Sequence, residues 1–189
     1  MAKILAFSGS SRIGSSNQKM LEIAVQGARN AGAEVTVVNL ADFNLPLFNQ
    51  DLEKEKFPEG ALAFKKLLLE NDGLLIASPE YNSAYSALLK NALDWASRPT
   101  TENEASLSAY AGKFAMIMAA SPGALGGMRG LVVLRMLLAN IKVNVLATQV
   151  TLGGAYSAFN DNGSMVDSEK QQSIEALGSQ LTKIIDSQG

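Results

Sequence analysis

Short apolar runs alternate along the chain with longer stretches of helical periodicity. Residues 3–8, 34–39, 74–78, 113–121 and 143–150 are rich in apolar or β-branched side chains, and each reads as a strand. Helical spacing occupies residues 19–31, which stop at Gly32, then 61–70, 84–96 and 125–140. A last helix opens near Ser168, where Ser168 and Gln171 fit a capping box, and runs to about Ile185. Residues 40–60 hold Pro46, Pro58 and several acids and read as a long surface loop; residues 98–109 read as a polar one. Five strands separated by helices predict an α/β class: a doubly wound parallel sheet with right-handed crossovers and helices on both faces. Uninterrupted apolar strands such as Leu74-Leu75-Ile76-Ala77 fit a sheet covered on both sides. Ligands of such sheets bind outside the carboxyl ends of the strands, at the switch in strand order. The loops after strands one, three and four are therefore the ones to read for chemistry.

Composition narrows that chemistry. Among 189 residues there is no Cys and no His. This removes disulfides, thiolate nucleophiles and thiolate metal sites, together with Ser-His and Cys-His catalysis. An enzyme built this way draws on carboxylates, Ser, Tyr, Lys or a bound cofactor that brings its own reactive atoms. The net charge of −2, with Lys and Arg scattered, leaves no electrostatic footprint for nucleic acid or an anionic membrane. The apolar region 130–147 is interrupted by Arg135, Asn140, Lys142 and Asn144, which makes it a buried helix followed by a strand rather than a membrane span. The run at residues 3–7 is too short for a signal peptide, so a soluble cytoplasmic protein of one domain over residues 1–189 is the expectation.

The first loop reads Ser8-Gly9-Ser10-Ser11-Arg12-Ile13-Gly14-Ser15-Ser16-Asn17 and opens a helix. Helix N-terminal N–H groups, hydroxyls and a guanidinium together form an anion site; the alternative is a Ser-rich cap that binds nothing. Gly9 to Gly14 has P-loop spacing, but Ser15 stands where a P-loop has lysine, and no G-x-G-x-x-G is present. A monophosphate held by hydroxyls and N–H groups fits best. The second loop, Ser78-Pro79-Glu80-Tyr81-Asn82, exposes peptide groups and an aromatic face, while Trp95 beyond it belongs to the core. The third, from Ser121 through Gly123 to Arg129, is glycine-rich; it allows close approach of a ligand or is simply a permissive turn.

Taken together these loops resemble the NADPH-dependent FMN reductase family of flavodoxin-like proteins, which includes quinone, azo-dye and chromate reductases. The motif G-S-x-R-x-x-S-x-N matches Gly9, Ser10, Arg12, Ser15 and Asn17; P-E-Y-N and L-K-N-A-[IL]-D-W match residues 79–82 and 89–95. G-G-x-R and a later L-R match Gly126, Gly127, Arg129, Leu134 and Arg135. The resemblance implies a flavodoxin-like sheet of order 2-1-3-4-5. It implies FMN held through its phosphate by Ser10, Arg12, Ser15, Ser16 and Asn17. Its ring would lie beside Pro79, Glu80, Tyr81 and Asn82 on one edge and Ser121 and Gly123 on the other. Ser83, Ala84 and Ser86 depart from the Gly, Ser and Pro that relatives often carry there.

The implied activity is transfer of hydride from NAD(P)H through FMN to a small acceptor, by a ping-pong mechanism that needs no protein acid or base. An electron-carrier flavodoxin and a non-catalytic nucleotide sensor are the alternatives; low net charge and Arg12 in the loop speak against the carrier. The resemblance also implies dimers or tetramers. Independently, helix 125–140 carries Leu131, Val132, Val133, Leu134, Met136, Leu137 and Leu138, more apolar surface than one sheet face covers. Cover within the chain, by residues 40–60 or the last helix, is the other reading. Arg98 and Arg129 are possible nucleotide contacts, and Arg129 and Arg135 possible interface residues.

Overall fold

The computed structural model describes residues 1–188. Its strands are β1 (Lys3–Ser8), β2 (Glu34–Asn39), β3 (Gly73–Ala77), β4 (Phe114–Ala120) and β5 (Asn144–Leu152), all parallel in the order β2-β1-β3-β4-β5. The helices are α1 (Ser16–Asn30), α2 (Gln50–Glu55), α3 (Glu59–Glu70), α4 (Ala87–Ala96), α5 (Met128–Asn140) and α6 (Ser168–Asp186). The sheet separates two apolar cores. One joins Ile4, Ala6, Leu75, Met116 and Met118 to α1 and α6; the other joins Leu5, Phe7, Leu74, Ile76 and Ile117 to α3, α4 and α5. Side chains of β1, β3 and β4 alternate between these cores, which is why those strands are apolar at nearly every position. Helices α1 and α6 cross in close contact: a Cβ on Gly178 would lie 1.9 Å from the Ala24 carbonyl oxygen, and one on Gly27 2.0 Å from that of Glu175.

The expected topology and all five strands are present, and the differences lie at helix starts. Ser15 caps α1 by accepting the N–H of Gln18, so the helix begins at Ser16 rather than at residue 19. Helix α4 begins at Ala87, because Tyr81 and Ala84 close a backbone-paired turn and Ser86 is the cap. Helix α5 begins at Met128, because Gly126 and Gly127 both have positive φ, 60° and 90°. The cap of α6 is Asp167, one residue earlier than expected, and Gln171 accepts the N–H of Met165 instead of completing a capping box.

Residues 40–60 are not one loop. Asn39 caps a 3-10 turn at Leu40–Phe43 by accepting the N–H of Ala41, and Asn49 caps α2 by accepting that of Asp51. The segment is pinned on Trp95, which is fully buried: Phe48 and Phe57 pack edge-on at 5.0 and 5.4 Å, and the indole N–H donates to the Pro46 carbonyl at 2.7 Å. This segment and α6 are thus committed elsewhere, and neither covers α5. No helix among the described residues is long and apolar enough to cross a membrane.

Candidate functional site

The carboxyl ends of β1, β3 and β4 open into a cleft of about 130 Å³. It is lined by Ser10, Arg12, Ser15, Ser16 and Asn17 from the first loop, by Pro79, Glu80 and Tyr81 from the second, and by Ser121 from the third. Asn82 and Gly123 do not line it. A larger hollow of about 510 Å³ lies at the opposite end of the sheet, beside the amino ends of β1, β3 and β4 and between Asp72, Lys113 and Asp186, where no helix N-terminus among the described residues converges.

The first loop is wound by its own hydroxyls. Ser8 Oγ accepts the N–H of Ser10 at 3.2 Å, and Ser10 Oγ accepts that of Arg12 at 3.4 Å. The result turns the start of α1 toward the cleft, with the N–H groups of Ser16 and Asn17 meeting no acceptor among the described residues. The first turn of α1 contains no acidic residue. Arg12 is exposed and pairs with no carboxylate among the described residues, whereas Arg98 is bound to Glu53 at 2.7 Å and Arg129 to Glu80 at 2.6 Å. Arg135 donates to the Val145 and Leu146 carbonyls and to Gln149, so it braces β5. Of these arginines, Arg12 alone offers the cleft a free guanidinium.

Two of the expected site residues have side chains engaged by other parts of the chain. The Asn17 carboxamide is buried and bonds the Ala120 peptide twice, donating to its carbonyl and accepting its N–H, both at 2.9 Å. The Glu80 side chain, only 8% exposed, reaches α5: Oε1 accepts from Arg129 Nε and Nη2, and Oε2 accepts the N–H of Gly130 at 2.9 Å. Burial pushes the Glu80 carboxyl up, but the Gly130 N–H and the Arg129 guanidinium outweigh it and hold the group below the usual carboxylate range.

Asn82 and Ser83 sit at φ 52° and 67°, two successive left-handed residues in the turn that Tyr81 and Ala84 close. Ser83 thus occupies a position where glycine is at ease. Ser86 has a use of its own: its hydroxyl donates to the Gly9 carbonyl at 2.6 Å, tying the second loop to the first. The reading of three loops missed a fourth. Ala155 and Tyr156, after β5, also line the cleft, and Ser16 Oγ donates to the Ala155 carbonyl at 3.4 Å. The pair Gly153-Gly154 at the end of an apolar strand was the available signal.

The NADPH-dependent FMN reductase family model matches residues 2–157, which include all four loops. This chain belongs to that family. An NAD(P)H-dependent FMN reductase of Pseudomonas aeruginosa is 34% identical over 180 residues, covering 93% of this chain and 92% of that one. An NAD(P)H:quinone oxidoreductase of Solanum tuberosum is 32% identical over 181 residues, covering 93% and 88%. Among solved structures, the flavoenzyme NAD(P)H:(acceptor) oxidoreductase FerB of Paracoccus denitrificans superimposes with a TM-score of 0.84 at 26% identity, over 99% of this chain and 98% of that one. The flavodoxin-like order of strands agrees with these neighbours. As a member of the family the protein is an NAD(P)H-dependent oxidoreductase with FMN as cofactor. The donor set fits that group: a helix N-terminus without an acid, flanking hydroxyls and a free arginine suit a phosphate monoester.

Proposed function

We propose that the cleft holds FMN with its phosphate at the start of α1, and that hydride from NAD(P)H leaves on a small acceptor: a flavin, a quinone, an azo compound or chromate. The observation that carries this reading is the first turn of α1, where two free N–H groups, no acid and the unpaired Arg12 face one opening. Ser10, Ser15 and Ser16 add hydroxyls, and Asn17 contributes its backbone N–H. Pro79, Glu80 and Tyr81 of the second loop and Ser121 and Pro122 of the third line the cleft where the ring would lie. Bound FMN supplies the hydride chemistry, so the protein supplies binding, orientation and electrostatics. Glu80 is neutralised by Arg129 and the α5 N-terminus, so its charge does not oppose a reduced, anionic ring beside it. Tyr81, 55% exposed at the rim, offers an aromatic face to a flat acceptor. The names of the relatives from Pseudomonas and Solanum favour flavins and quinones among the four acceptor classes.

Donor and acceptor use the same opening in turn, which makes the kinetics ping-pong. Steady-state rates at several fixed acceptor concentrations then give parallel double-reciprocal lines, and intersecting lines with a demonstrated ternary complex would overturn the shared opening. We place this work in the cytoplasm, where NAD(P)H is regenerated. We also infer a homodimer or homotetramer built on α5. Met128, Val132 and Met136 recur at helical spacing on its outer side and are 44%, 63% and 68% exposed, and Leu125, in the loop before it, is 49% exposed. Beside them Tyr85, Leu93, Leu137 and Ile141, with Lys90 and Asp94 at the side, line a groove, and nothing among the described residues covers either feature.

A further inference from the structure

Strand β3 stops short of its neighbour. Its register with β4 pairs Ala77 with Met118, and the Ser78 N–H still donates to the Met118 carbonyl at 2.9 Å. Two residues further along, Pro79 would face Ala120, but there the chain turns off as the second loop. The Ala120 N–H and carbonyl both point to this vacated side, buried, while the opposite edge of β4 continues to pair with β5 through Ser121 and Leu152. The Asn17 carboxamide takes the missing rung. It has one donor and one acceptor in the same plane, as a peptide group has, and it satisfies both atoms of Ala120 at 2.9 Å.

Asn17 is the second residue of α1, and Ala120 is followed at once by Ser121. We propose that Asn17 is a positioning residue: its side chain joins the loop that holds the phosphate to the loop that borders the ring, and acts on the whole flavin rather than on the phosphate. This rests on the placement of FMN given under Proposed function. A direct phosphate ligand affects FMN and spares riboflavin, which lacks the phosphate. A residue that sets the spacing of the two loops affects both flavins alike.

The test is flavin affinity, read by fluorescence quenching with FMN and with riboflavin, for wild type, Asn17→Ala and Asn17→Asp. For Asn17→Ala the expected result is an equal loss for both flavins, about tenfold, with the FMN-to-riboflavin ratio unchanged. Asn17→Asp provides a readout that a general loss of packing would not move. Protonated aspartic acid keeps a donor and an acceptor in the carboxamide geometry, whereas the carboxylate sets a negative oxygen against the Ala120 carbonyl. Riboflavin affinity of this variant is expected to be weaker at about pH 8 than at about pH 5, since only the protonated acid restores both bonds to Ala120; burial against the Ala120 carbonyl raises the acid's pKa, and outweighs the start of α1 and the Ala120 N–H, which lower it. Arg12, Glu80, Tyr81 and Tyr156 line the same cleft, and any titration of theirs is divided out by the wild-type profile. Loss confined to FMN, loss of neither flavin, or no acid recovery in Asn17→Asp would overturn the proposal; the aspartate arm decides if Asn17→Ala does not fold. Wild-type protein that binds FMN no better than riboflavin would overturn the phosphate placement itself, and it does so before any variant is made.

Discussion

Glu80 caps a helix to which it does not belong: its Oε2 accepts the N–H of Gly130, fifty residues away, while Oε1 takes Arg129 of the same helix. The residue preceding α5, Gly127, has no side chain with which to cap it, so the second loop closes the start of the third loop's helix. Glu80→Ala is expected to cost about 1–2 kcal/mol, the scale of a lost N-cap, because Arg129 is left exposed rather than buried. The folded carboxyl titrates below its unfolded value, so this contribution is fully present above the ordinary carboxylate range and is lost as pH falls through the folded pKa. Urea denaturation of wild type and variant at neutral and acid pH checks both statements: the gap closes in acid.

Arg12→Ala is expected to weaken FMN by about 1.5–3 kcal/mol, the scale of a hydrogen bond to a charged group. Riboflavin should be unaffected and the melting temperature nearly so, since the side chain is exposed and makes only a 3.5 Å contact with the Ile13 carbonyl. An unchanged FMN dissociation constant in a fluorescence titration would leave the phosphate to the α1 N–H groups alone.

The lining of the cleft was largely legible: Ser10, Arg12, Ser15, Ser16 and Asn17, with Pro79, Glu80, Tyr81 and Ser121, come together at the carboxyl ends of the strands, where the loops of a parallel sheet converge. What Asn17 and Glu80 do with their side chains was not legible. Their partners, Ala120 and Gly130, lie 103 and 50 residues away, and both are bare peptide groups with no side-chain signature. The inner strands β1, β3 and β4 were read correctly because both sheet faces are covered there, which makes their apolar runs unbroken, and the edge strands β2 and β5 were legible from their β-branched residues. Helix starts slipped by up to three residues where a cap or a positive-φ glycine overrode the apolar spacing, as at Ser15 and Gly127. The segment before α3 looked like loop for its prolines, but Pro46 presents its carbonyl to Trp95, and Asn39 and Asn49 act as caps.

Lys65 and Glu104 form a nearly buried ion pair, 4% and 15% exposed, that fastens residues 98–112 to α3. Burial pushes the Glu104 carboxyl up, but Lys65, Ser108 and Thr100 outweigh it and bring it down to about 2. Because the folded pKa is depressed, stability is present above the unfolded value and lost as pH falls toward about 2. Glu104→Gln is expected to cost about 3 kcal/mol near neutrality, a difference that shrinks below about pH 4.5. Neither residue lines the cleft, so FMN affinity at neutral pH should match wild type.

Val132→Glu and Met136→Glu place charges on the exposed apolar side of α5. Each side chain is already mostly in water within one chain, so stability of the isolated chain should change by less than about 0.5 kcal/mol. Light scattering across a dilution series should show wild type as a dimer or tetramer and the double variant as a monomer. A wild-type mass equal to one chain would remove the assembly from the account.

The central claim is that FMN held in this cleft is the redox centre between NAD(P)H and acceptor. Anaerobic addition of NADPH, or of NADH, to FMN-loaded protein tests it most directly, followed by a quinone once the nucleotide is consumed. The account predicts that the visible flavin absorbance bleaches on addition of the nucleotide and returns on addition of the quinone. Protein that binds FMN yet keeps an unchanged spectrum under excess of both nucleotides would contradict it.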